Sequence, residues 1–296
     1  MAGQDRFALS ERDSWAGHLC EHGYAVVAGV LSREECGLAL SEMWGIVESL
    51  GAVRRGDPEA WGQGRLWPPM LHGGMIQYLG HTGLQWRLRA LAAGAFAAYY
   101  KVAPEELATS FDGMCFMHGR RDYRSRGELI SFLHCDQSHR RDYEWSVQGL
   151  LNLASSGPEE GGLVVIPGSH KEHRAFFEKH PRRDELTGDW YLLSDAEKEP
   201  YRARALKVLG EPGDLLLWDS RTFHCNTVPA QKDAIRACVY TCMLPASRVP
   251  PHIRARRQRA WDERRTSNHH PGDGFKVFPT LPRFVAARAP TRISSW

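Results

Sequence analysis

The sequence predicts a mainly β protein with flanking helices, an antiparallel sandwich or barrel forming a single domain. Three observations carry this. After residue 108, short β-type runs alternate with turn signals. Strong helical periodicity lies mostly outside that stretch. No internal repeat or low-complexity segment divides the 296 residues. The expected layout is one domain over 1–296, with a helical N-terminal part to about 108, a β core over about 109–248, and a C-terminal helix and tail over 249–296.

The elements follow in order. Ser10 and Asp13 form a capping pattern for a helix reaching about His22, and Tyr24–Val27 is a short apolar strand. Ser32 and Glu35 form a second capping box for a helix that carries Cys36, Leu40, Met43 and Val47 on one side and ends at Gly51. Residues 52–82 read as ordered loop. Leu84–Tyr100 is a strong helix with Leu88, Leu91, Ala92, Phe96 and Tyr99 as its apolar stripe. The strand candidates are Thr109–Met117, Glu128–His134, Ser146–Leu153, Gly162–Ile166, Asp214–Trp218 and Arg236–Leu244. Lys171–Lys179 is helical, 181–205 is an insertion with short helical pieces, and Pro251–Arg265 is a basic helix before a Pro-rich tail.

Composition narrows the function. Thirty-eight basic and 35 acidic residues give a formal charge of +3, which supports neither nucleic acid nor a membrane surface as the main partner. The basic run His252–Arg259 lacks interleaved aromatics and reads as a solvated helix face. Seven scattered cysteines without a C-x-x-C pair argue against a disulfide framework and for a reducing compartment. With no apolar leader and no 18-residue apolar run, the expected location is the cytoplasm and the expected partner a small molecule.

Leu133-His134-Cys135-Asp136 carries the chemistry. In a strand, residues two apart share a face, so His134 and Asp136 can converge on one ion. His224 lies just beyond the strand candidate Asp214–Trp218 and offers a third ligand. Two imidazoles and one carboxylate on one side of an ion leave open positions, the facial triad of ferrous oxygenases. The competing reading is a satisfied barrel histidine beside a turn aspartate. Arg236, twelve residues beyond His224, suits a carboxylate held bidentately; its competing reading is an ordinary salt bridge. Cys135 and Cys225 flank the ligands but point the other way, as packing residues.

These pieces, with Gly161-Gly162-Leu163-Val164-Val165-Ile166-Pro167-Gly168-Ser169-His170 and Pro212-Gly213-Asp214, resemble the phytanoyl-CoA dioxygenase family of iron and 2-oxoglutarate oxygenases over roughly residues 10–250. The entry strand Gly23–Val27 is similar to theirs as well. The resemblance implies a double-stranded β-helix (a cupin-like jelly roll), with Fe(II) held by His134, Asp136 and His224, and with 2-oxoglutarate and O2 as cosubstrates. Ascorbate would serve as reductant in vitro. It further implies that Arg236 pairs with the far carboxylate of 2-oxoglutarate. Asn226 stands where the family commonly has Ser for a polar contact to the cosubstrate. Gln148 and Asn152 are read as facing the pocket, and Met117, seventeen residues before His134, as a wall residue; barrel lining is the competing reading for these four. Because related halogenases replace the carboxylate by a small residue, Asp136 favours hydroxylation, desaturation, cyclisation or demethylation over halogenation. A non-catalytic or zinc-binding jelly roll is the rival from another class.

Arg121, Arg124 and Arg126 in one loop, with Tyr143 and Trp145 after another, suggest a small anionic or zwitterionic substrate. A solvated loop with charges of both signs is the alternative. Trp145, Trp190, Trp218 and Tyr143 are read as pocket-shaping or core residues.

Overall fold

A computed structural model describes residues 5–50, 53–62, 67–68, 74–120, 129–139, 145–181, 186 and 190–278. Among these, two β-sheets face each other. The larger runs in the order Phe7–Ala8, Tyr24–Ala28, Leu215–Asp219, Val147–Asn152, Ile235–Tyr240, Met114–His118, Met75–Ile76, with Met243–Pro245 and Leu107–Thr109 attached beside it. The smaller runs Leu206–Val208, Leu163–Val165, His224–Asn226, His134–Cys135, Tyr191–Leu192. Every pairing is antiparallel except that of Phe7–Ala8 with Tyr24–Ala28. This is the expected jelly roll.

Period-two alternation sorts the side chains into layers. Leu215 and Leu217 point outward onto the helices Arg12–His22, Arg33–Leu50 and Gly83–Tyr100, meeting Trp15, Met43, Val47 and Phe96. Leu216 and Trp218, one residue out of step, join Tyr24, Val26, Leu150, Cys238 and Tyr240 between the sheets, against Leu163 and Val165. Cys135, Val164 and Cys225 face away from the larger sheet and pack with Phe177 and Tyr201. Both flanking cysteines are therefore packing residues. All seven cysteines are free thiols, six of them buried.

Several local expectations shift. The first helix begins at Arg12 without a side-chain cap from Ser10, and Glu11 instead accepts from the Ala8 N–H at 2.6 Å. The second has its capping box intact, Ser32 and Glu35 bonding each other's backbone, a device worth about 1 kcal/mol. Residues 129–133 form turns, with only His134–Cys135 extended, because Leu133 N–H closes onto the Ile130 carbonyl and the apolar run packs beneath the smaller sheet. Thr109–Met117 and Arg236–Leu244 are each interrupted, giving two strands apiece. The helix Pro251–Asp262 does not merely present a solvated basic face: Arg257 lies over the Phe111 and Phe275 rings and donates to the Thr109 carbonyl at 2.6 Å. Among the described residues, no helix is long and apolar enough to cross a membrane.

Candidate metal centre and its cavity

The Pro212-Gly213-Asp214 turn and the Pro167-Gly168-Ser169-His170 turn set up the site. Gly213 sits at φ +95°, where a Cβ would lie 2.1 Å from the Leu31 carbonyl, so only glycine fits. Buried Asp214 accepts from Arg6, Gly29 N–H and Glu211 N–H, fixing the start of the Leu215–Asp219 strand. Ser169 Oγ accepts from Phe223 N–H at 2.8 Å, and His170 Nε2 lies 2.9 Å from the Cys20 carbonyl. The motif thus ties the residue before His224 and the first helix to one point.

His134 and His224 are direct register partners on neighbouring strands, their ring centroids 4.4 Å apart. Asp136, in the bend after the short strand, brings Oδ1 to 3.5 Å from His134 Nε2 and Oδ2 to 3.3 Å from His224 Nε2. One ligand atom from each of the three lies within 4.8 Å of the others. The two Nδ1 atoms face the Phe132 and Thr222 carbonyls at 2.8 and 2.9 Å. A carbonyl only accepts, so each Nδ1 carries the proton and each Nε2 presents its lone pair inward. Gln148 donates to Asp136 Oδ2 at 3.1 Å. Burial, reinforced by the neighbouring His224, pushes His134 down to about 4, which keeps it neutral. Burial would raise Asp136, but His224, His269 and His134 outweigh it and hold the carboxyl below its usual range. Neutral imidazoles and an ionised carboxylate are the ligating forms, and the donor set fits a ferrous ion.

Arg236 is 2% exposed. It shares a strand face with Cys238 and Tyr240, the face turned between the sheets. Its Nη1 lies 3.9 Å from Met117 Sδ, and its Nη2 is buried without a hydrogen-bond partner among the described residues. No carboxylate among those residues pairs with it, so the salt-bridge reading loses its partner. An orphaned buried guanidinium nitrogen fits an incoming carboxylate.

A cavity of ≈ 250 Å³ opens on the triad. Asn226 and Tyr240 line it, hydrogen-bonded to each other at 3.1 Å. Trp190 and Trp218 line it as well. Asn152 does not: it donates to Ser156 Oγ at 3.1 Å, four residues beyond Gln148 along the strand. Met117 and Arg236 are both absent from the lining and stand beside each other, with Tyr240, on the strand face of Arg236, reaching the cavity. Trp145 is also outside it, with Arg221 stacked on its ring and Tyr99 6.2 Å away. Arg121, Arg124, Arg126 and Tyr143 lie outside the described residues.

The sequence reading missed the wall opposite the smaller sheet. Asp112, Asn268, His269, His270 and Lys276 line the cavity, and Asp112, Cys242 and His269 form a second group whose ligand-type atoms converge. The adjacent pair His269-His270 in a Pro- and Gly-rich stretch was the available signal.

Residues 126–226 match the family model of phytanoyl-CoA dioxygenase (PhyH). Ava biosynthesis cluster protein O of Aspergillus versicolor is 31% identical over 192 residues, covering 60% of this chain and 60% of that protein. The chain therefore matches less than two thirds of that relative's length. Among solved structures, a hypothetical protein of Escherichia coli, JW0805, superposes with a TM-score of 0.60 at 14% identity, covering 94% of this chain and 79% of that one. The epimerase SnoN, in complex with Fe3+, alpha ketoglutarate and nogalamycin RO, gives 0.53 at 16% identity, covering 80% and 84%. At these identities the structural likeness speaks for the fold.

Proposed function

On the premise that this chain carries the phytanoyl-CoA dioxygenase family's domain over residues 126–226, we propose that it is an Fe(II)- and 2-oxoglutarate-dependent oxygenase that hydroxylates an unactivated C–H bond of a small molecule. The observation that supports this most is the pair of buried imidazoles, each with Nδ1 held by a carbonyl and Nε2 turned toward Asp136. His134, Asp136 and His224 would hold the iron. Bound ferrous iron, 2-oxoglutarate and O2 would supply the oxidising power, with succinate and carbon dioxide as coproducts.

The chain's own residues do the rest. Gln148 holds the Asp136 carboxylate by one oxygen. Arg236 offers its unpartnered Nη2 to the distal carboxylate of the cosubstrate, and Asn226 stands on the cavity wall with its amide committed to Tyr240. Phe132, Leu163, Trp190 and Trp218 make that wall largely apolar, which limits water around the reacting C–H bond. The Asp136 carboxylate favours hydroxylation over halogenation.

The test is succinate release from 2-oxoglutarate under air with added Fe(II) and ascorbate. Slow iron-dependent release without substrate is expected from the wild type, and none from Asp136→Ala. Equal release from both proteins would contradict the proposal.

A further inference from the structure

A second cavity, of ≈ 840 Å³, is walled by the helices Gly83–Tyr100 and Pro251–Asp262. The first gives Trp86, Arg89, Ala90 and Ala93, and the second gives Arg254, Arg257 and Trp261. In each helix these positions lie three, four or seven residues apart and so share one face. Phe111, Met243 and Val249 add buried apolar surface to the lining. Ala90 and Ala93 leave the space open where longer side chains would fill it. Among the described residues, this groove shares no lining with the cavity over His134, Asp136 and His224.

The charge inside it is unbalanced. Arg89 donates to the Gly80 and Asp112 backbone carbonyls, Arg254 to those of Val249 and Ala246, and Arg257 to those of Pro271 and Thr109. A neutral carbonyl satisfies a donor but cancels no charge. Arg89 is 1% exposed, and its Nε is buried without a hydrogen-bond partner among the described residues. Asp112 attracts Arg89 through space, yet its carboxylate takes the Ser110 hydroxyl at 2.7 Å and forms no ion pair with that guanidinium. Burial pushes Arg89 and Arg257 down to about 10, opposed at Arg89 by Asp112, and both stay charged near neutrality. Against three cations the lining offers one carboxylate, the exposed Glu105, which makes no ion pair among the described residues. Sequestered charges normally meet a counter-charge, so a groove with apolar walls and excess guanidinium suits an anion carried on an apolar body.

We propose that this groove is a second binding site, taking an organic acid whose apolar body lies between the two helices and whose carboxylate is held by Arg254 and Arg257. The positive charge of Arg89 adds to theirs. The site is separate from the iron-binding centre, and what it takes does not depend on the oxygenase reading. The basic run of the last helix thereby gains a role that a solvated face would not have.

Equilibrium dialysis of the full chain against octanoate, 1-octanol and acetate tests this. Octanoate is expected to bind about tenfold more tightly than 1-octanol, the effect of one charge-assisted hydrogen bond, and acetate far more weakly than octanoate. Ala90→Trp, at an exposed helix position, fills the groove and should weaken octanoate and 1-octanol together. Arg254→Gln should bring octanoate toward the 1-octanol value while leaving 1-octanol unchanged, with circular dichroism confirming that both variants keep the fold. Equal binding of octanoate and 1-octanol, or acetate held as tightly as octanoate, would overturn the inference. So would octanoate binding untouched by Ala90→Trp, which places the acid elsewhere, or a preference undiminished in Arg254→Gln. A chain that binds no Fe(II) yet keeps the Arg254-dependent preference would lose the oxygenase reading and retain this one.

Discussion

Single side chains carry the chemistry, and the contacts one step out from the ligands decide how well they carry it. Gln148 donates to the same Asp136 oxygen that faces His224. Partners of this kind typically govern metal affinity by ten- to a hundredfold. Gln148→Leu keeps the volume and the strand but removes the donor. Roughly tenfold weaker Fe(II) binding is expected, with the melting temperature of the metal-free protein little changed; anaerobic titration and a thermal melt measure the two. His134 and Asp136 could be named from ligand chemistry and strand period, and Gln148 from the strand that follows the ligand motif; the fold brings these three together, whereas Arg236 stands beside Met117 outside the cavity lining. Asn152 shares the inward face with Gln148 and was expected in the pocket for that reason. It fails because four residues along a strand is about 13 Å, far enough to leave the cavity for Ser156.

At the level of elements, the segment 266–278 is the part that sequence patterning does not reveal. It has neither helical nor strand period, and side chain–backbone bonds to distant residues hold it: Gln77 to the Ser267 carbonyl, Ser267 to Phe111, His81 to the Arg265 carbonyl. Such long-range contacts leave no local signature. The run Leu129–Leu133 erred in the opposite direction. Its apolar β-type residues were read as strand but pack as a turn under Phe177, tertiary burial overriding propensity. His81 gives this region a pH signature. It is buried among Trp86, Phe111 and Trp261, and burial, with Arg89 and Arg264 nearby, pushes it down to about 3. A depressed histidine stays neutral in the folded protein while the unfolded chain takes up a proton below about 6.5. Its share of stability is therefore full above 6.5 and drains away as pH falls toward 3. His81→Gln keeps a donor for the Arg265 carbonyl without titrating, so its melting temperature should fall less than the wild type's between pH 7 and 4.5. Parallel curves would place the acid sensitivity elsewhere.

Over the whole molecule, the two sheets and their helical cover follow from alternation that reads directly off runs such as Leu215–Trp218, whose odd and even positions enter different layers. The closure that joins His134 to His224 is less local. It depends on two short strands, far apart in sequence, pairing at one register position, with the Ser169 hydroxyl fixing the second of them. Resemblance supplied that closure where the pattern of either segment alone did not. An ion bound across these strands stabilises the folded state by mass action, about 2.7 kcal/mol at a hundredfold excess over its Kd. The most direct measurement is an anaerobic Fe(II) titration of the wild type, Asp136→Ala and Arg236→Leu, each followed by 2-oxoglutarate. One ion per chain is expected in the wild type and in Arg236→Leu, none in Asp136→Ala, with cosubstrate binding surviving in the wild type only. Iron held equally by Asp136→Ala, or 2-oxoglutarate held equally by Arg236→Leu, would be incompatible with a centre built from His134, Asp136 and His224 and served by Arg236.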